Sequence, residues 1–148
     1  SAMEIARRGE KSLAALADML REDLRHWPKL ALLGDYNIAP EDADVHDPVA
    51  WKDQILCSEP ERAAFRDFLG LGLSDAFRRF EQAPKSYSWW DYRQMGFRLN
   101  RGLRIDHILL SAPLAGACSA CTIDKAPRKL ERPSDHAPVI ATLDLPGE

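Results

Sequence analysis

The amino-acid sequence predicts a layered domain of the α/β or α+β class, built from two helices and about five strands. Two features carry this prediction. Apolar residues recur at helical spacing over residues 4–27, and short apolar runs typical of strands follow, the clearest of them at residues 104–111. Helical and strand-like segments occur in mixed order along the 148 residues, and no interior linker separates them. The chain is therefore expected to fold as one unit.

Both predicted helices have recognisable boundaries. The first has a charged side and an apolar face made of Leu13, Leu16, Ala17, Leu20 and Leu24. Pro28 ends it, because proline cannot continue a helix. The second opens with the capping box Ser58-Glu59-Pro60-Glu61, where the proline sits at a position whose missing N–H costs nothing. Gly70 and Gly72 end the second helix.

Five segments have the composition of strands. Residues 29–33 form a short apolar run closed by Gly34, which is typical of a buried strand. The other four segments are residues 87–91, 104–111, 118–124 and 136–145. Residues 38–56 and 93–102 are predicted loops, because the first is rich in proline and aspartate and the second is polar and bounded by glycine.

The net charge of the chain does not indicate a nucleic-acid partner. Twenty Lys and Arg against 23 Asp and Glu give a formal net charge of −3, so a polyanion would need a local basic face or a metal. Basic residues do cluster in the middle of the chain, at Arg78, Arg79, Lys85, Arg93, Arg98, Arg101 and Arg104. A solvated charged surface explains such a cluster as well as a binding site does.

The remaining composition is that of an ordinary globular protein. Three cysteines, Cys57, Cys118 and Cys121, do not suggest a disulfide scaffold, and the pair at 118 and 121 has no second pair with which to form a zinc site. No apolar stretch approaches the ~18 residues of a membrane span, and no signal peptide is visible, which favours a cytoplasmic protein. Ser1-Ala2-Met3 resembles a tag remnant.

Polar residues stand beside three of the predicted strands. Asp35 and Asn37 follow the first strand, Asp106 lies inside the strand at 104–111, and Asp135-His136 precedes the last. A charge beside an apolar strand is costly, so such a side chain usually has a partner, a metal or a chemical role. Phosphate-ester chemistry is the first hypothesis. The alternatives are Asx turns at 34–37 and 133–136 and a salt bridge at Asp106.

Six motifs occur in an order that resembles the exonuclease III and AP endonuclease branch of the endonuclease/exonuclease/phosphatase superfamily. They are Gly34-Asp35-Tyr36-Asn37-Ile38-Ala39-Pro40, Asp44-Val45-His46-Asp47-Pro48, Asp75-Ala76-Phe77-Arg78, Ser88-Trp89-Trp90-Asp91-Tyr92-Arg93, Asn100-Arg101-Gly102-Leu103-Arg104-Ile105-Asp106 and Pro133-Ser134-Asp135-His136. The resemblance covers most of residues 30–143. It implies an α/β fold in which this chain, over residues 4–148, is the C-terminal half of a four-layer sandwich, with one mixed β-sheet flanked by helices.

The resemblance also implies roles for the polar residues. Asp35 would activate water or protonate the leaving 3′-oxygen, and Asn37 would hold a phosphate oxygen and help to orient Asp35. Asp106 would orient His136, which would contact the scissile phosphate. Asp135, with Asp35, would contribute to a site for Mg²⁺, with Mn²⁺ as a substitute.

The implied partner is duplex DNA with abasic sites or 3′ ends. Trp89, Leu103 and Ile105 resemble an apolar pocket that receives an extrahelical abasic sugar. Arg93 and Arg101 are candidates for contacts with the DNA backbone. The implied activity is hydrolysis of phosphodiesters 5′ to abasic sites and from 3′ ends.

The sequence departs from the family in one respect that affects these roles. Members of the family carry an Asn, a metal-binding Glu and a Tyr in an N-terminal half, and none has a counterpart before Asp35. The chain is therefore expected to be inactive alone and to associate with itself through the face that the missing half would cover. Two alternatives remain: a non-catalytic DNA-binding or interaction half-domain, and a phosphatase of the same superfamily.

Overall fold

The computed structural model describes residues 10–145. The predicted tag remnant at residues 1–3 and the first residues of the predicted helix from residue 4 lie outside this range. Four α-helices are present in the described part: α1 Glu10–His26, α2 Pro48–Trp51, α3 Glu59–Gly70 and α4 Ala112–Ala117. The strands are β1 Ala31–Asp35, β2 Ser74–Asp75, β3 Trp89–Trp90, β4 Gly102–Leu103, β5 Asp106–Leu110, β6 Cys118–Ile123 and β7 Val139–Leu143. None of the described helices is long and apolar enough to cross a membrane.

The strands form three antiparallel sheets, in the orders β1-β5-β2, β3-β4 and β6-β7. The predicted α/β class is confirmed. The described strands pair antiparallel in three separate sheets and not in the expected single mixed sheet, and the strand predicted at 104–111 begins two residues later, at Asp106. β4 ends at Leu103 and β5 begins only at Asp106, and the two strands take different partners.

The two long helices build the main core against β1 and β5. The predicted apolar face of α1 is confirmed, since Leu13, Leu16 and Leu20 are buried with Phe65 and Phe68 of α3. The predicted start of α3 is confirmed as well: the Ser58 hydroxyl accepts the Glu61 N–H and donates to Glu61 Oε1 at 2.8 Å. This packing holds β1 and β5 side by side, so that the ends of both strands meet at one edge.

Several elements differ from the prediction. β1 extends to Asp35, so this carboxylate lies in the strand and not after it. The aromatic strand expected at residues 87–91 is reduced to Trp89–Trp90. Helices α2 and α4 were not predicted, because four and six residues are too short to show a helical period.

A buried ion network lies at the gap between β4 and β5. Arg104 is 1% exposed and Asp44 is 0% exposed. The Arg104 guanidinium donates from Nε to Asp44 Oδ1 at 2.7 Å and from Nη2 to Asp75 Oδ2 at 2.7 Å, and Arg78 also donates to Asp44. Although burial opposes the charge, hydrogen bonds with Asp75 and Asp44 hold the pKa of Arg104 above its ordinary value. The network therefore anchors the segment that leads into Asp106.

His107 completes this network as a neutral imidazole. Its Nδ1 accepts from Arg104 Nη1 at 3.1 Å, and its Nε2–H donates to the Ile38 carbonyl at 2.7 Å. Complete burial, together with the charge of Arg104, lowers the pKa of His107 to about 4. The side chain therefore has a structural role on the face of β5 opposite to Asp106.

The neutral state of His107 predicts a pH dependence of stability. As the pH falls from about 6.5 to about 4, His107 becomes protonated in the unfolded chain but stays neutral in the folded protein. The free energy of unfolding should therefore fall over this range. The expected slope from one such group is up to about 1.4 kcal/mol per pH unit. Urea unfolding across this range should show the slope, and His107→Gln should reduce it. An equal slope in the variant would assign the acid sensitivity to other groups.

Candidate active site

Asp106 and His136 form a hydrogen-bonded pair at the edge where β1 ends and β5 begins. His136 Nδ1 donates to Asp106 Oδ2 at 2.8 Å. This contact fixes the ring, so that Nε2 points towards Asp35 Oδ2 at 3.7 Å and Asp135 Oδ1 at 3.8 Å. The hydrogen bond to Asp106 raises the pKa of His136, although partial burial opposes the charge. The three nearby carboxylates thus favour the protonated form of the imidazole.

Asp35 reaches this site because β1 and β5 are antiparallel and in register. Asp35 and Asp106 are direct partners across the two strands. Asn37, two residues on, has a positive φ of 54° and donates its backbone N–H to Asp35 Oδ1 at 2.9 Å. The Asx turn that was predicted as an alternative is therefore present at this position. The same turn orients the Asp35 carboxylate.

Asp135 is held by an aromatic side chain. Trp89 Nε1 donates to Asp135 Oδ2 at 3.1 Å, and the Trp90 backbone N–H donates to the Asp135 carbonyl at 3.1 Å. Trp89 also pairs with His136 as an isolated β-bridge. The aromatic strand β3 thus places Asp135 and His136 together at the site.

The acidic groups fit part of a site for a divalent cation. Asp35, Asp106 and His136 each offer a ligand atom, and these atoms lie within 4.8 Å of one another. One oxygen of Asp106 is already used by His136. Asp135, which was predicted to bind the metal with Asp35, is not among these three residues, although its Oδ1 lies 3.8 Å from His136 Nε2. Carboxylate oxygens are the ligands that hard cations prefer. Such a cation, when bound, would offset the negative charge of a phosphate.

A cleft of about 330 Å³ lies on the other side of Trp89. Arg93 and Arg101 line it together with Trp89, and the cleft also contains His46, Trp51 and Asp91. Arg93 is exposed and paired with Asp91, with Nη2 to Oδ2 at 2.8 Å. The structure therefore brings three of the five residues predicted for substrate binding to one concave surface.

The other two residues predicted for substrate binding lie beneath that surface. Leu103 is 0% exposed and Ile105 is 2% exposed, and both pack in a core cluster against which Trp89 rests. Their buried side chains support the position of the Trp89 ring, while Trp89 itself is half-buried.

The comparisons with known proteins agree with this arrangement. The sequence of residues 7–136 matches the sequence model of the endonuclease/exonuclease/phosphatase family. The chain belongs to this family. Exodeoxyribonuclease III of Haemophilus influenzae is 40% identical over 139 residues, which cover 89% of this chain and 52% of that relative.

Solved structures of the same superfamily give the same result. A 3′ phosphatase from Neisseria, bound to a product DNA hairpin, superposes with a TM-score of 0.89 at 46% identity, covering 92% of this chain and 53% of that one. An AP endonuclease from Archaeoglobus fulgidus gives a TM-score of 0.74 at 33% identity, covering 90% and 55%. This family member thus spans about half the length of the relatives that it matches. The predicted resemblance, and the prediction that the chain matches only part of a longer relative, are confirmed.

The sequence did not predict that Arg128 would lie beside the site. Its guanidinium lies over the rings of Trp90, Tyr92 and Phe97, at 5.7, 5.6 and 4.7 Å from their centroids. Arg128 Nη1 donates to the Ser134 carbonyl at 2.6 Å, immediately before Asp135. A basic residue in a stretch of mixed charge gives no signal of such burial, because the aromatic rings come from distant positions.

Proposed function

We propose that this chain is the C-terminal half of a DNA-repair nuclease of exonuclease III type. The full-length protein would act in the cytoplasm and hydrolyse phosphodiesters 5′ to abasic sites and at the 3′ ends of duplex DNA. It would use Mg²⁺, with Mn²⁺ as a substitute. The observation that carries this proposal is the Asp106–His136 pair, whose Nε2 faces Asp35 and Asp135. The basic, aromatic cleft beside Trp89 supports a nucleic-acid substrate.

Each polar residue has a distinct part in the proposed reaction. Asp106 accepts the Nδ1–H of His136 and stabilises the imidazolium, as the carboxylate of a catalytic triad does. His136 then presents its Nε2–H to a non-bridging phosphate oxygen and stabilises the charge that develops there. Asp35 activates water or protonates the leaving 3′-oxygen, and Asn37 holds a phosphate oxygen. Asp135, with Asp35, would hold the divalent cation, which supplies neutralising charge when bound.

Substrate contacts follow from the cleft. Arg93 and Arg101 would bind DNA phosphates, since guanidinium groups pair well with phosphate oxygens. The ring of Trp89 would form one wall of the sugar pocket, and Leu103 with Ile105 would form its apolar support. This arrangement favours a polynucleotide over a lipid or a small phosphate ester as the substrate.

A second candidate is a 3′ phosphatase that acts on DNA ends. The observation in its favour is the Neisseria 3′ phosphatase, which is 46% identical to this chain over 92% of its length. The same pair of Asp106 and His136 would serve either reaction, because both cleave a phosphate ester. A half-domain without catalysis is the remaining alternative, and it predicts DNA binding without turnover.

One assay of the full-length protein separates these candidates. Three duplexes are compared: one with an internal abasic analogue, one with a recessed 3′-hydroxyl and one with a 3′-phosphate, each with Mg²⁺ or with EDTA. Mg²⁺-dependent reaction of the first two supports the nuclease, and reaction of the third alone supports the phosphatase. If no duplex reacts under conditions in which exodeoxyribonuclease III acts, both enzymatic proposals are wrong.

The isolated chain is expected to show no Mg²⁺-dependent incision and to bind Mg²⁺ weakly. The described acidic groups supply few oxygen ligands, and Mg²⁺ compensates for missing ligands only by retaining water. Incision of the abasic duplex by the 148-residue chain, compared with the full-length protein at equal concentration, tests this expectation. A rate equal to that of the full-length protein would show that the site is complete within this chain.

The isolated chain is also expected to self-associate. A second cleft of about 430 Å³ contains Asp35, Asp106 and His136, and its other lining residues include the apolar Leu33, Ile108 and Val139. Leu33 is 60% exposed, and contiguous exposed apolar surface favours association. A two-fold dimer through this face is the simplest closed assembly. Sedimentation should show a dimer that Leu33→Glu weakens, and a stable monomer at micromolar concentration would contradict the prediction.

A further inference from the structure

The hydroxyl of Ser88 lies at the junction between β4 and β5. Its Oγ accepts the backbone N–H of Ile105 at 3.0 Å and the backbone N–H of Asp106 at 3.1 Å. Ser88 is 0% exposed. One buried oxygen therefore accepts two consecutive amides, the second of which belongs to the carboxylate partner of His136.

This contact follows from the break in the strand. In a regular strand, consecutive amides point to opposite sides, and two of them cannot share an acceptor. Between Leu103 and Asp106 the chain leaves the ladder, and the Arg104 N–H turns to the Asp44 carbonyl at 2.9 Å. A hydroxyl oxygen has two lone pairs, which match the two amides that the break leaves without a ladder partner.

The backbone of Ser88 reaches the other member of the catalytic pair. The Ser88 carbonyl accepts the N–H of Ala137, the residue after His136, at 2.8 Å. The Ser88 N–H donates to the Leu103 carbonyl at 3.0 Å. Ser88 is therefore bonded on one side to the amide of Asp106 and on the other to the residue that follows His136.

We propose that Ser88 is a positioning residue that sets the distance and orientation of the Asp106–His136 pair. The proposal rests on the proposed phosphate-ester hydrolysis at this pair. Ser88 does not touch the substrate in this proposal and acts only through the backbone of its neighbours. A shift of a catalytic group by a fraction of an ångström lowers turnover, because the reacting groups must be aligned.

Ser88→Ala is the direct test, because it removes the shared acceptor and leaves two buried amides unpaired. In the full-length protein we expect kcat to fall about 10- to 100-fold, with KM nearly unchanged. Ser88→Thr keeps the oxygen and should recover most of the lost turnover. The matched control is Ser111→Ala: Ser111 is also buried, and its Oγ accepts the Leu30 N–H at 2.8 Å at the far end of β5.

The control separates positioning from stability. Both alanine variants remove a buried hydroxyl that accepts backbone amides, two at Ser88 and one at Ser111, so both should lower the free energy of unfolding, Ser88→Ala by the larger amount. Only Ser88→Ala should lower kcat. Equal kcat values for the two alanine variants would overturn the proposal.

A second measurement on the 148-residue chain does not depend on nuclease activity. The proton on His136 Nδ1 reports the hydrogen bond to Asp106, and its NMR chemical shift can be read at one fixed pH in histidine-labelled protein. Ser88→Ala should move this resonance, whereas Ser111→Ala should not. If the shift moves but the wild-type full-length protein cleaves no DNA, Ser88 still positions the pair and the proposed nuclease function is wrong. An unmoved resonance overturns the positioning role.

Discussion

Replacing Asp106 with Asn is expected to lower the turnover of the full-length protein in the proposed reaction at least ~100-fold while changing its affinity for DNA little. The substitution keeps the size of the side chain but removes the negative charge that supports a protonated His136. An amide oxygen can still accept the Nδ1–H, but a neutral ring then carries its only proton on Nδ1 and has none on Nε2 to donate to the phosphate oxygen. Steady-state kinetics on the abasic duplex should therefore show a lower kcat and a similar KM.

Asp124→Asn is the matched control for this prediction. Asp124 Oδ1 accepts the Ala126 N–H at 3.0 Å in an exposed turn, outside the site. An amide oxygen can accept the same bond, so turnover should not change. If Asp106→Asn cleaves at the wild-type rate, Asp106 has only a structural role and the proposed mechanism is wrong.

The polar residues that meet at the site were predictable because each stands beside or inside a predicted apolar strand, where a charge is costly. An antiparallel register that aligns the last residue of β1 with the first of β5 brings Asp35 opposite Asp106. The resemblance then added His136 as the partner of Asp106, and the 2.8 Å contact agrees with that expectation. Periodicity also predicted α1 and α3, since both are long enough to show an apolar face.

Other features depend on contacts that no local pattern records. Arg128 bonds to Ser134, which lies 6 residues away in the sequence. Ser88 bonds to Ile105, which lies 17 residues away. The break between β4 and β5 was not visible, because Arg104 and Ile105 have the composition of a strand. Leu103 and Ile105 were expected to line the substrate pocket, yet both are buried in the core cluster against which Trp89 packs.

The second large effect is expected for Arg104→Met, which should destabilise the fold by about 3–5 kcal/mol. The substitution keeps much of the side-chain volume but leaves Asp44 and Asp75 buried without the guanidinium that bonds to both. Burial opposes ionisation of Asp44, and Arg104 with Arg78 holds the pKa of this carboxyl below its ordinary value. Urea unfolding near pH 7 should show the loss as a lower midpoint.

The pH dependence of the stability loss in Arg104→Met shows whether that loss is electrostatic. A carboxyl with a lowered folded pKa stabilises the protein above its ordinary pKa, and this contribution is lost as the pH falls through the lowered value. The stability difference between the wild type and Arg104→Met should therefore narrow below about pH 4, as the wild type loses the stabilisation that ionised Asp44 provides. Arg21→Met is the control, because Arg21 pairs with Asp18 on an exposed face of α1 and should cost less than about 1 kcal/mol. A loss at Arg104 no greater than at Arg21 would mean that the buried network contributes no net stability.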